Sequence, residues 1–265
     1  MLNTELIKAS LGGSSLISNC YFFDEISSTN DFAKSLTGEN NILVVTEYQT
    51  AGHGRFNRKW ESEKGLNLTF TIKKKIDILP KRIQFVNFFF TYYLIDGLRK
   101  YLNGLDPKPH FEIYIKWPND VILNSKKVSG ILLENNLSDM EFIIGFGINV
   151  NQEKFNEESG ENAASLKNLI KSETNIDRSL LLICLINHFE KNINLLLNGH
   201  FDIIYKFWRG SNFLIGKDIL FETPGHIQKN AKVIDFTEDG GIEIESENKK
   251  VTYYSGDIKI LKGWQ

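Results

Sequence analysis

Apolar and polar residues alternate strictly from 66 to 73. Leu66, Leu68, Phe70 and Ile72 fall on one face, and Asn67, Thr69, Thr71 and Lys73 on the other. A period of two is the mark of a strand with one buried face, so a half-buried strand is expected here. Phe85, Phe88, Phe89, Tyr92 and Ile95 recur instead at spacings of three and four, which predicts an amphipathic helix. Residues 20–23 and 42–45 read as short strands. Between them, Ser27, Ser28, Thr29 and Asn30 are small polar residues suited to capping a helix over 31–36. Residues 50–65 are polar, glycine-containing and basic, and read as a long loop. Strands are expected over 112–116 with 121–123, then 128–134, then 141–150, joined by connections too short for crossover helices. Helices follow over 162–170 and 178–197, with a short third ending near Trp208.

After Ser211 the pattern becomes all-β. Short strands at 215–221, 231–236, 241–246, 249–254 and 257–261 alternate with turns such as Pro224-Gly225 and Asp239-Gly240-Gly241. That spacing predicts a small barrel-like module. The fold class expected is α+β: a mixed or antiparallel central sheet flanked by helices over 1–210, and the all-β module over 211–265.

Composition removes several function classes. The chain has 265 residues, 42% hydrophobic and 24% charged, which are ordinary globular values. Lys and Arg total 31 against 33 Asp and Glu, a net charge of −2. A dedicated nucleic-acid binder carries a global basic excess, so any basic function must be local. Cys20 and Cys184 sit far apart in no pairing motif, which suits a reducing cytoplasm and two inert thiols. The five histidines are scattered, with no zinc-like spacing. The first twenty residues do not read as a signal peptide. The most apolar run, 180–186, is far shorter than the about 20 residues a bilayer needs. A soluble cytoplasmic protein without a membrane role is expected.

Four segments could carry chemistry. Gly52-His53-Gly54-Arg55-Phe56-Asn57-Arg58-Lys59-Trp60 packs three cations beside glycines that let backbone N–H groups approach an anion, and Trp60 could stack on a flat ring. Lys116-Trp117-Pro118-Asn119-Asp120 places a lysine and a carboxylate across a proline turn, where Asp120 could hold a cation or orient Lys116. In Lys127-Val128-Ser129-Gly130-Ile131-Leu132, alternation puts Val128, Gly130 and Leu132 on one face, with room for a close approach at Gly130. In 144–150, Gly145, Gly147 and Asn149 share a face from which two side chains are missing. Each segment alone also fits a bland reading: a solvated basic loop, a hairpin turn, a strand with an indifferent glycine.

Together and in order, SSTN, QTAGHGRFNRKW, KWPNDV, KKVSGILLE and GFGINV resemble the biotin protein ligase family over about residues 20–210. The stretch from Phe213, through Ser255-Gly256-Asp257-Ile258, is similar to that family's SH3-like C-terminal domain. The resemblance implies a class II synthetase-like catalytic domain. It implies activation of biotin by ATP as biotinyl-5′-AMP, then transfer to a lysine of a biotin carboxyl carrier protein. Carboxylate attack on a phosphate brings two anions together, so cations and Mg²⁺ are needed.

By family likeness Arg55 holds the biotin carboxylate and α-phosphate, Arg58 and Lys116 bind phosphates, and Lys127 contacts both reacting groups. Ser28, Thr29, Asn30 and Gln49 bind the biotin ring system. Gly52, His53, Gly54, Gly130, Leu132 and Gly145 line its pocket. Asp120 and Asn149 help hold Mg²⁺, and Asn149 and Trp60 fall to the ATP site. The usual loop reads GRGRxGR; here His53 replaces an arginine and Asn57 stands where glycine is common, tolerating positive φ. Only 27 residues precede Ser28, so a ligase without a DNA-binding repressor domain, and no specific DNA binding, is expected. Homodimerisation through a sheet edge is common in the family. The alternative reading is a lipoate or other carboxylate-adenylating ligase of the same fold.

Overall fold

Helix starts follow from short polar caps. The Asn3 side chain accepts from Leu6 N–H to open α1 (Thr4–Leu11), and Ser28 accepts from Asp31 N–H to open α2 (Thr29–Ser35). Asp177 accepts from the Ser179 and Leu180 N–H groups to open α5 (Arg178–Leu197). The remaining helices are α3 (Gln84–Asn103), α4 (Leu166–Ile170) and α6 (Phe201–Gly210). The computed structural model describes residues 1–136, 138–156, 162–222 and 228–260. The expected Pro224-Gly225 turn and the end of the last expected strand, Leu261, lie outside the described residues.

Seven strands form the main sheet: β1 (Asn19–Phe23), β2 (Ile42–Thr46), β3 (Leu68–Lys75), β4 (Ile113–Lys116), β5 (Asp120–Leu123), β6 (Lys126–Asn136) and β7 (Glu141–Ile148). Their order is β1-β2-β3-β7-β6-β5-β4. Only β1 and β2 run parallel; every other neighbour is antiparallel. Five strands form a second, antiparallel sheet: β8 (Asp218–Glu222), β9 (Gln228–Phe236), β10 (Ile242–Ser246), β11 (Lys249–Tyr253) and β12 (Asp257–Ile260), in the order β11-β10-β9-β8-β12. The α+β class, the mixed central sheet and the small C-terminal β unit match the sequence expectation.

One face of the main sheet buries Phe70 and Phe146, stacked at 4.5 Å, against Phe90 of α3 and Phe189 of α5. Helix α3 is buried nearly all round, not amphipathic as its spacing predicts, because α5, α6 and the sheet enclose it. The other face is different. Strand β3 is buried on both faces rather than half-buried. α2 lies across its polar side, where Thr71 bonds Thr29 and Asn30, and Lys73 reaches the Leu36 carbonyl at 2.6 Å and Glu141 at 3.3 Å. Partners, not solvent, satisfy those polar groups.

α5 is long and apolar enough in composition to resemble a membrane span. Its Leu181, Leu182, Leu185, Ile186 and Phe189 are nonetheless buried in the core against α1 and α3. Cys20 and Cys184 are both free and half-buried, and burial pushes both thiols up, away from the reactive thiolate.

The two sheets share one hydrophobic core. Trp208 of α6 meets Phe236 edge-on at 5.2 Å, and Arg209 grips Asp235 with two bonds of 2.6 and 2.8 Å. The Trp117 indole N–H donates to the Gly240 carbonyl at 2.9 Å, joining the proline turn to the second sheet.

Glu47 and Arg178 form a nearly solvent-free pair at 2.7 Å that ties β2 to the start of α5. Burial alone would push the Glu47 carboxyl up. Hydrogen bonds from Arg178 and the Leu2 N–H, with the Arg178 charge, outweigh that and hold its pKa below the usual value of 4.5. A lowered folded pKa stabilises above the unfolded value and loses that contribution as pH falls through the folded one. Urea stability is therefore expected to fall as the pH is lowered past the usual carboxylate value of 4.5, and to fall less in Glu47→Gln. Identical acid profiles for the two proteins would refute this.

Candidate active site

The glycines of β6 and β7 meet across the ladder, Gly130 opposite Gly147 and Leu132 opposite Gly145. Directly opposed residues share a face, so these four form one shallow wall on the α2 side of the sheet. A bulge then changes the alternation. Opposite β5, Val121 pairs Ser129 while Ile122 pairs Lys127, which leaves Val128 as the extra residue. The expectation that Val128, Gly130 and Leu132 share a face is therefore overturned. Val128 turns into the hydrophobic core, fully buried. Lys127 instead joins the glycine wall, with its Cε 3.6 Å from where a Gly130 Cβ would stand. Bulges beside active sites re-aim side chains in this way.

Lys127 Nζ lies 2.7 Å from Asp120 Oδ1, and 5.8 Å from the centre of the Trp60 ring. Asp120 is delivered by the tight β4–β5 turn, whose ladder pairs it with Lys116. The Trp117–Pro118 bond in that turn is cis. The Asn119 side chain donates to the Ile131 carbonyl, and the Ile131 N–H returns a bond to the Asn119 carbonyl at 3.2 Å. This locks the turn to β6, so Lys116, Asp120 and Lys127 sit on one rigid frame.

The basic loop folds back on itself. Trp60 N–H donates to the Gly52 carbonyl at 2.9 Å, and Gly54 N–H to the Arg58 carbonyl at 2.7 Å. The left-handed residue at the tip is Phe56, at φ 56°, and not Asn57 as the family pattern suggests. Phe56 is 58% exposed, and its ring lies 5.1 Å from the Arg55 guanidinium and 5.8 Å from that of Arg58. Trp60 folds under the loop onto the glycine wall. A Cβ on Gly147 would stand 2.3 Å from its ring, so only glycine admits the indole there. Its Nε1 and the Oδ1 of Asn149 are buried with no hydrogen-bond partner among the described residues. Both are available to a ligand.

At the other end, Ser28, Thr29 and Asn30 are buried at the start of α2. Gln49 Oε1 accepts from the Thr29 N–H at 2.7 Å and from its hydroxyl at 3.0 Å. That turns Gln49 Nε2 toward Gly52, where a Cβ would come within 2.5 Å of it.

These pieces surround one cavity of about 620 Å³. Its wall includes every residue that the family likeness places in the site except Gly52, which packs behind Gln49 and so shapes the wall only indirectly. It also includes residues that sequence reasoning missed. Thr69 belongs to the polar face of β3; Phe155, Asn162 and Ala163 come from the segment after β7; Gly256 and Ile258 come from the second sheet. Tertiary packing brings these in, and no local pattern marks them. Among the described residues no three His, Cys, Asp or Glu side chains converge as a metal site.

A profile of the biotin/lipoate A/B protein ligase family matches residues 22–151. The bifunctional ligase/repressor BirA of Bacillus spizizenii is 30% identical over 246 residues, 89% of this chain and 72% of that protein. The chain belongs to the biotin protein ligase family. The biotin–[acetyl-CoA-carboxylase] ligase of Mycobacterium tuberculosis is 26% identical over 226 residues, 84% of this chain and 80% of that one. The biotin protein ligase of Aquifex aeolicus, solved with biotin and ATP, shares the fold with a TM-score of 0.77 at 24% identity, covering 93% of this chain and all of that one.

Proposed function

We propose that this chain couples biotin to a specific lysine of a biotin carboxyl carrier protein in two steps driven by ATP. The observation that carries the reading is a single cavity with two chemically distinct ends. Hydroxyls and amides, buried at Ser28, Thr29 and Asn30 and half-buried at Gln49, line one end, with Leu132 and Gly145; cations (Arg55, Arg58, Lys116) line the other, with Lys127 between. The first end suits a neutral bicyclic ring with a polar head. The second suits phosphates.

In the first step a biotin carboxylate oxygen bonds to the α-phosphorus of ATP, and the bond to the leaving pyrophosphate breaks. Lys127 and Arg55 neutralise the approach of one anion to another, and Arg58 and Lys116 hold the phosphates. In the second step the carrier amine attacks the acyl carbon, AMP departs with the bonding pair, and the amine loses a proton. Trp60, packed on the glycine wall, is the platform for the adenine ring.

Mg²⁺ fits the donors present. One carboxylate, Asp120, and one unpartnered amide oxygen, Asn149, suit a cation that takes most of its ligands from phosphate and water. Such an ion would offset phosphate charge. The residues 1–210 are proposed as the catalytic domain and 211–265 as the companion domain, and a cytoplasmic location is proposed with them.

The test is mass spectrometry of a carrier domain incubated with this protein, biotin and Mg-ATP, where one biotin adduct on one lysine is expected. Pyrophosphate exchange with biotin, lipoate and octanoate in parallel separates the alternatives. Exchange with lipoate alone would overturn the reading.

A further inference from the structure

The polar end of the cavity does not stop at its wall. Asn30 is buried, and its Oδ1 accepts from the Thr71 hydroxyl at 2.6 Å while its Nδ2 donates to Glu134 Oε2 at 2.8 Å. Glu134 Oε1 accepts from Lys34 Nζ at 2.7 Å, and Lys34 reaches Asp31 at 3.2 Å. Toward the cavity, the Thr71 hydroxyl lies 2.8 Å from that of Thr29, which donates to Gln49. Hydrogen bonds thus run from solvent at Lys34, under α2, to the Thr71 hydroxyl; with the Thr71 proton on Asn30 and the Thr29 proton on Gln49, the two hydroxyl oxygens meet by contact alone.

Gln49 takes its direction from the Thr29 main-chain N–H, which only donates to its Oε1. Asn30 has the Thr71 hydroxyl on one side, and a hydroxyl donates or accepts, so Thr71 alone would tolerate the Asn30 amide turned end over end. An ionised carboxylate only accepts. Glu134 therefore requires the NH₂ of Asn30 to face it, which leaves Oδ1 for Thr71 and the cavity side. Lys34 supports the ionised form by donating to the other carboxylate oxygen.

Gly145 adds a steric clamp. A Cβ there would stand 2.3 Å from Asn30 Oδ1, so the amide is wedged against the glycine wall.

We infer that Glu134 is a positioning residue for ligand choice. It fixes the amide of Asn30, and with it one acceptor in the order of donors and acceptors at the ring-binding end, where the Thr29 N–H fixes Gln49. A cyclic urea, with two N–H donors and one carbonyl acceptor, is the class of head group that such a fixed order selects. A dithiolane or a plain acyl chain carries no matching groups and leaves buried polar atoms unpaired. The inference rests on the proposed biotin site for its ligand, but the hydrogen-bond order stands on its own.

The test compares wild type, Glu134→Leu and Glu134→Gln. In pyrophosphate exchange, Glu134→Leu is expected to raise the KM for biotin and for desthiobiotin, which keeps the urea, at least tenfold. The KM for ATP and kcat stay within about twofold. Glu134→Gln, whose amide oxygen can still accept, recovers most of the loss. A biotin KM unchanged in Glu134→Leu overturns the inference. So does a uniform fall in kcat, ATP KM and melting temperature, which would mark a merely structural role. If wild type shows no exchange with biotin, the functional reading fails. The positioning role is then read from the side-chain amide protons of Asn30 by NMR: slow solvent exchange in wild type and fast exchange in Glu134→Leu support it, and equal rates refute it.

Discussion

Lys127→Ala is expected to abolish the first half-reaction, lowering biotin-dependent pyrophosphate exchange by about 10³-fold or more. Two effects add. The variant loses the ammonium that faces the carboxylate and phosphate as they approach. It also strips Asp120 of its partner at 2.7 Å, leaving a bare carboxylate beside two incoming anions. Folding is not at issue, because the Lys127 side chain is 35% exposed and carries no core packing. Its melting temperature should stay within a few degrees of wild type. Normal exchange in this variant would remove Lys127 from the mechanism.

Gly145→Ala should have the second-largest effect, and by a different route. The added methyl would stand 2.3 Å from Asn30 Oδ1 and 3.0 Å from its Cγ and Nδ2. Asn30 cannot yield cheaply, since Thr71 and Glu134 hold its two ends in a buried position. Either the amide moves and breaks both bonds, or the strand shifts. Overpacking of this kind costs about 1–3 kcal/mol. The KM for biotin should rise at least tenfold while that for ATP moves little. Adding Asn30→Ala makes room, so the double variant should regain stability without regaining affinity. A Gly145→Ala protein with wild-type melting and wild-type biotin KM would show that the clamp is not real.

The sequence was informative wherever the signal is local. The alternation 66–73, the 85–95 spacing and the cap at Ser28 mark elements at nearly their observed positions. The candidate residues were legible because loop chemistry is local too: three cations near glycines, a lysine before a proline turn, two glycines on one strand face. Where expectation and structure part, the cause is a partner distant in sequence. Strand β3 hides its polar face because α2 covers it. Helix α3 loses its wet side because α5 and α6 enclose it. Val128 and Lys127 exchange faces because one extra residue enters the ladder with β5, and nothing in Lys-Lys-Val-Ser-Gly announces a bulge.

Chemistry and class therefore lay in the chain: an α+β enzyme handling anions with a few clustered cations on a near-neutral background, in an order shared with biotin protein ligases. Those properties depend on residue type and short spacing, which translate directly into strands, turns and charge. Direction and distance did not lie there. Folding aimed Lys127 at Asp120, laid Trp60 on Gly147, let Gly256 and Ile258 close the cavity, and set Glu134 behind Asn30. All but the first are contacts between segments tens of residues apart. Their separation is set by the packing of whole sheets and helices, which no window of neighbouring residues encodes.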